Sequence, residues 1–405
     1  MGRRPSRGLL RVVPLVMIRV AHVVPTDRIA WLLLRRRLIR LAAAGCEIHI
    51  LCGRAPDSGT ADGVDYEAGL TELGLQVHYL PFEREIVPWT DARTAAALYG
   101  AIRRGRYDIV HTHNPKGGLL GPPVAQMARA PHVLHTVHGF LFHDRTSGLY
   151  HVAAQAAERW TAMWSDHLLF QSEEDLAYAR THGYKKQEHL HLVGNGVDEA
   201  YFDGQVDLGA ATLRQELGWK DTDLVVGTVG RVVEEKGYLE FFEMASRLAD
   251  ERDDVRFLIV GLFEPEQSDA VDPFALAREH GIQDRCHILQ GRDDMPTLYA
   301  SMDVFVLASH REGLSKSLLE ATAMARPTVT CDIRGCREVV IDGETGMLVP
   351  VRDVASLHKA VADLLQDEDR RLRLGTAGRQ RVVEHYTESV VAQRVMAIYT
   401  SLMAA

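Results

Sequence analysis

One strand–loop–helix–strand unit in the C-terminal half constrains the fold of this chain most. Val304–Leu307 is a short apolar run, typical of a strand buried in a parallel sheet. A polar loop at residues 308–315 leads into a helical stretch at 316–325, which Pro327 ends, and Thr328–Cys331 indicates the next strand. Because open α/β sheets bind ligands at the carboxyl ends of their strands, the pattern predicts a ligand site in this loop.

Two glutamates and three backbone amides make this unit a candidate site. Glu312 lies in the loop and Glu320 lies one turn into the helix, so both are expected to face one crevice. The N–H groups of Gly313, Leu314 and Ser315 precede or open the helix and have no helical carbonyl partner. Such groups suit an anionic phosphate.

The same spacing has a structural alternative. Ser317-x-x-Glu320 fits a capping box, in which the glutamate only closes the first turn of the helix. Glu312 would then be a solvated loop charge. The motifs around the two glutamates favour the binding interpretation.

Residues 310–350 resemble the donor-binding motif of the retaining GT-B glycosyltransferases of family 4. The similarity includes the Glu-x7-Glu spacing and the segments EATAMARPTVT, RGCREVV and DGETGMLVP, and it extends over the chain from Met17 onward. The resemblance implies a GT-B fold with two doubly wound Rossmann-like domains facing a cleft. It also implies that Glu312 contacts the donor sugar and that Glu320 holds the ribose hydroxyls of the nucleotide.

Further site positions follow from the same resemblance. Arg231 and Lys236 bracket a loop before a helix, where two cations suit a diphosphate, and their GR-x4-KG pattern matches the diphosphate clamp of the family. Arg292 follows a strand where the family contacts the nucleotide base. His138 follows the strand His132–Val137, and the family histidine there contacts the donor sugar near the reacting centre. The alternatives are solvated surface charges for the cations and a packing role for the histidine.

The N-terminal half is expected to bind the acceptor. A strand at residues 18–24 leads through Thr26 and Asp27 into a helix at 28–44, without the GxGxxG turn of a dinucleotide-binding domain. The segment VHTHNPKGGLLG resembles a loop of the family branch that extends lipid-linked or cell-surface saccharides. Its Asn114 and Lys116, with Thr26 and Asp27, are the predicted acceptor-side residues.

No metal or cofactor is expected besides the nucleotide sugar as co-substrate. His111-x-His113 places two imidazoles on one face of a strand, but no third ligand follows at a useful spacing. The Asp-x-Asp matches at residues 221–223 and 367–369 do not follow strands. Arg231, Lys236 and a helix N-terminus are expected to neutralise the leaving diphosphate instead.

Composition excludes some classes of protein. The net charge is −9. Residues 201–405 have a net charge of −12, which argues against a nucleic-acid-binding protein. Five cysteines without a CxxC pair favour reduced thiols and a cytoplasmic enzyme. The apolar segment at residues 9–24 is too short and too charged to span a bilayer, and no small-residue cleavage site of a signal peptide follows. Residues 1–16 are expected to be a loose extension, with Met17 as an alternative start.

The first 50 residues carry +8 of charge, and four arginines lie in the apolar stretch of residues 31–41. One interpretation is a basic amphipathic surface, formed by Arg35, Arg36, Arg37 and Arg40, that rests on the anionic inner face of the cell membrane. The other is a helix that packs on the sheet and extends its arginines toward solvent.

The sequence predicts an N-terminal acceptor domain at residues 17–200, a donor domain at 201–384, and a last helix at 385–405 that crosses back to the first domain. The expected activity is metal-independent transfer, with retention of configuration, of a hexose or N-acetylhexosamine from a nucleotide sugar, UDP-linked by analogy with the family. The acceptor would be a saccharide or a lipid-linked saccharide. The alternatives are a diffusible small-molecule acceptor, a sugar-nucleotide epimerase and a non-catalytic sugar-nucleotide sensor.

Overall fold

The computed structural model describes residues 17–55, 65–83, 87–142, 148–204, 209–265 and 269–404. The predicted extension at residues 1–16 lies outside the described residues.

The first sheet contains seven parallel strands in the order β3-β2-β1-β4-β5-β6-β7. Its strands are β1 (Ile18–Thr26), β2 (Cys46–Gly53), β3 (Gln76–Tyr79), β4 (Ile109–His113), β5 (His132–Val137), β6 (His167–Phe170) and β7 (Leu190–Leu192). The strand order reverses between β1 and β4, so the segments that follow these two strands border a crevice at the edge of the sheet.

The second sheet contains six parallel strands in the order β10-β9-β8-β11-β12-β13. Its strands are β8 (Leu224–Val229), β9 (Val255–Val260), β10 (Cys286–Leu289), β11 (Val304–Leu307), β12 (Thr328–Cys331) and β13 (Met347–Val349). The reversal lies between β8 and β11, which carry the predicted clamp and the loop of Glu312 at their carboxyl ends.

Sixteen α-helical segments in the described parts of the chain connect and cover the strands. They are α1 (Asp27–Ile29), α2 (Arg35–Ala43), α3 (Tyr66–Glu72), α4 (Pro88–Gly105), α5 (Asn114–Met127), α6 (Gly148–Trp164), α7 (Glu173–Thr181), α8 (Ala210–Glu216), α9 (Tyr238–Glu251), α10 (Pro273–Glu279), α11 (Met295–Ala300), α12 (Lys316–Ala323), α13 (Cys336–Val339), α14 (Val354–Gln366), α15 (Glu368–His385) and α16 (Glu388–Met403). A π-helical turn, Ala30–Leu34, joins α1 to α2. The apolar faces of helices and strands form separate cores on the two sheets.

The last helix, α16, packs against α2 of the first sheet. A buried ion pair joins Arg37 Nε to Glu388 Oε2 at 3.2 Å, and the Tyr399 hydroxyl lies 2.6 Å from His111 Nδ1. The domain limits stay a prediction. The predicted boundary at residue 200 lies in the segment between β7 of the first sheet and β8 of the second.

The predicted α/β fold class with two doubly wound units is confirmed. The strands at residues 109–113, 132–137 and 304–307 end where the sequence places them. The predicted loop at residues 114–118 is wrong, because α5 begins directly after β4 at Asn114. The short elements α8, α10, α11, α13 and β13 are not predicted from the sequence.

Candidate active site

An open cleft of about 540 Å³ is lined by residues from the connections of both sheets. The first half contributes the turn after β1, and the second half contributes the segments after β8, β9 and β10 and the start of α12. Its charged lining consists of six cations and three carboxylates: Arg28, Arg35, Arg36, Arg231, Arg292, Lys316, Asp198, Asp293 and Glu320. An excess of positive charge in a cleft attracts an anionic ligand such as a diphosphate.

Glu320 faces this cleft from α12. Its Oε2 accepts a hydrogen bond of 3.0 Å from the hydroxyl of buried Tyr299. Burial raises the pKa of the Glu320 carboxyl, against the attraction of Lys316 and Arg35. The capping alternative is wrong, because Ser315 is the N-cap of α12 and makes no side-chain capping bond, and Glu320 bonds to Tyr299 instead.

Glu312 and Lys236 form an ion pair at the carboxyl end of β11. Lys236 Nζ lies 2.6 Å from Glu312 Oε1, which also accepts a hydrogen bond of 2.7 Å from Ser309. Glu312 lines a second cavity beside the cleft, together with Arg311 and His310. The expectation that Glu312 and Glu320 face one crevice is therefore corrected: they line two neighbouring cavities.

The other two predicted donor-side cations line the cleft. Arg231 follows β8 directly and is exposed. Arg292 follows β10, and its guanidinium makes a bidentate pair with Asp294, which raises the pKa of the arginine. Arg231 thus lies where a diphosphate could be bound, and Arg292 lies at the far wall of the same cleft.

Gly313 brings the two halves of the molecule into backbone contact. A Cβ atom at this position would lie 2.1 Å from the carbonyl oxygen of His138, and one at Gly335 would lie 1.8 Å from the carbonyl oxygen of Gly313. Only glycine permits approaches this close without a shift of backbone. The main chain of His138 therefore lies directly against the predicted donor loop.

Leu314 and Ser315 complete that loop. The Leu314 side chain is buried in the core of the second sheet, and its carbonyl accepts a hydrogen bond of 3.0 Å from Asn195. Ser315 is buried and lies 3.3 Å, Oγ to Oγ, from Ser317. The contact of their backbone amides with a phosphate stays a prediction.

His138 is partly buried and adjoins a cluster of buried histidines on the first sheet. Its Nε2 lies 3.3 Å from His113 Nδ1, and His113 Nε2 lies 3.0 Å from His22 Nδ1. Burial, with a contribution from Arg37, lowers the pKa values of His22 and His138 to about 3. These imidazoles are therefore neutral at physiological pH.

The structure corrects the acceptor-side prediction for two residues. Asp27 is fully buried, and its carboxylate accepts hydrogen bonds from the amides of Arg28 and Ala55 and from the Tyr79 hydroxyl. Lys116 is also buried, and its Nζ pairs with an Asp91 carboxylate at 2.9 Å. Asp27 therefore stabilises the start of α1, and the Lys116–Asp91 ion pair joins α5 to α4.

The other two acceptor-side residues have different surroundings. The Thr26 hydroxyl caps α1 by accepting a bond of 3.4 Å from the Ile29 amide. Asn114 has a positive φ of 62°, and its side-chain oxygen is buried without a hydrogen-bond partner. Asn114 lines a small cavity next to His138, and a non-glycine residue in this conformation is often found at a functional site.

Sequence reasoning missed several residues that line these cavities. Trp31 and Arg35 enter the cleft from the π-helical turn and α2, with the Arg35 guanidinium 4.2 Å from the Trp31 ring centroid. Glu158 of α6 lines the small cavity beside His138, and burial raises the pKa of its carboxyl to about 7. A π-helical turn is a frequent mark of a functional site, but it cannot be seen in the sequence.

The arginines predicted to face a membrane are buried or partly exposed, and three of them bind acidic residues elsewhere in the chain. Arg37 is buried against Glu388, and Arg36 and Arg40 both pair with Asp198, at 3.0 and 3.2 Å. Arg35 faces the cleft. The prediction of a basic membrane surface on this helix is therefore wrong, because acidic residues after β7 and at the start of α16 bind its arginines.

One group in the described part of the chain has the composition of a metal site: His22, His111 and His113. The third histidine, which the spacing along the sequence did not reveal, is His22 of β1. It is paired in register with His111 of β4. Both nitrogens of His111 are already engaged, Nδ1 with Tyr399 at 2.6 Å and Nε2 with Thr136 at 2.7 Å. The arrangement is that of a hydrogen-bonded network.

None of the helices in the described ranges combines the length and the apolar character that crossing a bilayer requires.

Solved structures define the fold. The fold matches that of the Anabaena protein HepE, solved with UDP and glucose, with a TM-score of 0.79 over 95% of this chain and 100% of that one, at 16% identity. This likeness gives the fold, which is that of the GT-B glycosyltransferases.

Sequence comparison gives the family. Residues 34–196 match the description "Glycosyl transferase 4-like domain", and residues 210–381 match "Glycosyl transferases group 1". The chain belongs to family 4 of the GT-B glycosyltransferases. Among its relatives are the capsular polysaccharide biosynthesis glycosyltransferase CapM of Staphylococcus aureus, 24% identical over 92% of this chain and 94% of the relative, and the UDP-Gal:alpha-D-GlcNAc-diphosphoundecaprenol alpha-1,3-galactosyltransferase of Escherichia coli, 29% identical over 69% and 71%.

Proposed function

We propose that this glycosyltransferase moves a hexose or N-acetylhexosamine from a UDP-sugar to a lipid-linked saccharide, without a metal and with retention of configuration, in the synthesis of a cell-surface polysaccharide. The observation that carries the proposal is the cleft that joins Arg231 and Glu320 of the second half to Trp31 and Arg35 of the first. The names of two relatives support the donor and acceptor classes, since one uses UDP-galactose and a diphosphoundecaprenol-linked sugar and the other builds capsule.

In the proposed mechanism, Arg231 and Lys236 stabilise the charge that develops on the departing diphosphate. Lys236 exchanges part of its contact with Glu312 for the phosphate, which leaves Glu312 to accept hydrogen bonds from sugar hydroxyls. Glu320 accepts hydrogen bonds from the ribose. The positive lining of the cleft supports this division of roles, because it supplies the charge that a metal ion would otherwise provide.

Retention is proposed from the family, and attack on the leaving-group face is proposed as its route because two of the three carboxylates that line the cleft are engaged by other side chains. Asp198 is paired with two arginines, and Glu320 is bonded to Tyr299. The acceptor hydroxyl then attacks the anomeric carbon on the face from which the diphosphate leaves. The bond to the diphosphate oxygen breaks, and that oxygen takes the proton of the hydroxyl.

The test is a screen of nucleotide sugars by thermal shift, followed by mass spectrometry and NMR of products made with lipid-linked saccharides. We expect one UDP-sugar to raise the melting temperature and to give an α-linked product. Formation of a new nucleotide sugar without acceptor would identify an epimerase instead. Binding without transfer to any acceptor would favour a sensor, and transfer only to soluble small molecules would exclude the lipid-linked class.

We also propose that the enzyme works at the cytoplasmic inner face of the membrane, and that the docking face lies on α4, α5 and α6. Exposed apolar side chains recur on α6 at helical spacing: Leu149, Val152, Trp160 and Met163. Met127 of α5 and Trp89 of α4 are also exposed apolar side chains, and Leu149 and Trp89 are 85% and 76% exposed. An apolar face of this extent on a protein surface marks an interaction site.

The charges around the apolar face suit an anionic bilayer. Exposed arginines include Arg93, Arg103, Arg104 and Arg159, whereas the two acidic residues of α4–α6 are Asp91, paired with Lys116, and Glu158, which is buried. Each basic residue near an anionic leaflet contributes about 1 kcal/mol. Aromatic rings with flanking arginines are typical of a helix face that lies in the interfacial region.

Co-sedimentation with phosphatidylglycerol vesicles tests this face. We expect binding that falls at high salt and in a variant with Leu149, Trp160 and Met163 all changed to serine. The matched control changes Leu239 and Leu372, exposed leucines of the second half, to serine and should bind normally. Equal binding of both variants would reject this docking face.

A further inference from the structure

Two buried histidines connect the core of the first sheet to His138. His113 closes β4 and His22 lies in β1, and both are almost inaccessible to solvent. The successive nitrogen–nitrogen distances, 3.0 Å from His22 Nδ1 to His113 Nε2 and 3.3 Å from His113 Nδ1 to His138 Nε2, are those of hydrogen bonds. Three imidazoles thus form one continuous chain that ends at the small cavity lined by His138.

The chain must have a direction, because each neutral imidazole carries only one N–H group. In one direction, His22 donates to His113 and His113 donates to His138. In the other, every donor and acceptor is exchanged. The two directions differ in the tautomer of all three rings, and therefore in which nitrogen of His138 carries the proton.

One observation at the inner end of the chain selects the first direction. His22 Nε2 is buried without a partner, and a buried acceptor without a donor is tolerated better than a buried N–H without an acceptor. His138 then accepts at Nε2 from His113, and its own proton lies on Nδ1.

We propose that His113 and His22 are positioning residues that fix His138 as the Nδ1–H tautomer and hold its ring at Nε2. The inference rests on the proposed glycosyl transfer, in which residue 138 lies beside the reacting sugar. The main-chain carbonyl oxygen of His138 lies against Gly313 of the donor loop. A ring held at Nε2 therefore also fixes the peptide that meets this loop.

The neighbouring His111 helps to hold the ring of His113 in place. His111 stacks on His113 with ring centroids 4.3 Å apart, and it is itself fixed by Tyr399 and Thr136. The His113 ring is therefore held both in its plane by hydrogen bonds and across its face by packing. A small displacement of a group beside the reacting centre lowers the rate much more than it lowers binding of the substrate.

The first test needs no variant and no substrate. Long-range proton–nitrogen NMR spectra of protein with ¹⁵N-labelled histidine report the tautomer of each ring. We expect His22, His113 and His138 as neutral Nδ1–H tautomers at pH 7. An Nε2–H tautomer at His138 would overturn the proposed direction whether or not the protein transfers sugar.

The second test compares two variants of His113 with a matched control. In His113→Asn, the side-chain amide nitrogen takes the place of Nδ1 and still donates, whereas His113→Leu leaves His138 Nε2 without a donor. We expect kcat of His113→Leu to fall about 10- to 100-fold with little change in the KM for the donor, and His113→Asn to keep most of the activity. His191→Leu, which breaks another imidazole pair of 2.9 Å with His167, should act like wild type.

The outcomes separate this inference from the proposed function. Wild-type kcat in His113→Leu, or equal loss in the leucine and asparagine variants, would reject the positioning role. Absence of transfer by the wild-type protein with every donor and acceptor would reject the proposed function, while the NMR result would still decide the tautomers.

Discussion

Replacing Glu320 by glutamine separates a ligand-binding carboxylate from a structural one. The two side chains have nearly the same size, and glutamine can still accept the hydrogen bond from Tyr299. Only the charge is removed. If Glu320 is only structural, the substitution leaves donor affinity unchanged. If its carboxylate holds the ribose hydroxyls, the substitution lowers donor affinity.

The effect on stability follows from the pKa of Glu320. Burial raises this pKa in the folded protein, so the folded state favours the neutral form. A carboxyl with a raised pKa contributes its full stability below the pKa of the unfolded chain and loses it as pH rises through the folded pKa. At neutral pH the buried charge of Glu320 lowers the stability of the wild-type protein. Glu320→Gln has no charge there, so the variant should unfold at the same or a slightly higher temperature.

The effect on binding has the opposite sign. Hydrogen bonds to a charged acceptor are worth roughly 1 kcal/mol more than those to a neutral one. Two ribose hydroxyls on one carboxylate therefore give a loss of about 2 kcal/mol, or about 30-fold in Kd. Isothermal titration with UDP-sugar measures this change directly.

A matched control is Glu47→Gln, at the start of β2 and paired with Arg19, away from the carboxyl ends of the strands. It should leave donor affinity unchanged. Equal donor affinity in Glu320→Gln and wild type would refute the reasoning and return Glu320 to a structural role. A lower melting temperature without loss of affinity would do the same.

Three other predictions concern charge. Arg231→Ala and Lys236→Ala should each lower kcat about 100-fold, because part of the developing diphosphate charge is left without a partner, and a double variant with wild-type turnover would exclude the clamp. Turnover measured in excess EDTA should be unchanged, and a loss that Mg²⁺ or Mn²⁺ restores would overturn the metal-independent mechanism. Burial raises the pKa of Glu158 from 4.5 to about 7, so stability should fall by roughly 3 kcal/mol as pH rises across that range. Glu158→Gln should lose this slope in denaturant titrations, and an unchanged slope would show that another group titrates.

The fold can be read from the sequence because its strands are short apolar runs bounded by turn residues. The pattern predicts Ile109–His113, His132–Val137 and Val304–Leu307 with their observed ends. The site loop is predictable for the same reason, since it follows one of these strands directly. Short elements such as α13 escape prediction, because four residues carry too little periodicity to indicate a helix.

The partners of the site residues cannot be read in the same way. The sequence predicts Lys236 and Glu312 as separate contacts to phosphate and sugar, but they bind each other across 76 residues of chain. His22 completes the histidine cluster only because β1 and β4 are adjacent in the sheet. Sheet order is a tertiary property, and the spacing of two histidines within one strand does not contain it.

The arginines of α2 show how a charge pattern can be misread when its partners are distant. Four arginines within six residues predict a solvated or membrane-facing surface if only their own segment is considered. In the folded chain Asp198 and Glu388, 158 and 351 residues beyond Arg40 and Arg37, are their partners. The Arg37–Glu388 pair is buried, and breaking such a pair by removing one member typically costs about 3–5 kcal/mol, so it holds the last helix to the first sheet. The pairs with Asp198 are partly exposed and link the segment after β7 to α2. The apolar face on α4–α6 escapes sequence analysis for the converse reason: its side chains are ordinary for helices that cover a sheet, and only the structure shows that they point outward.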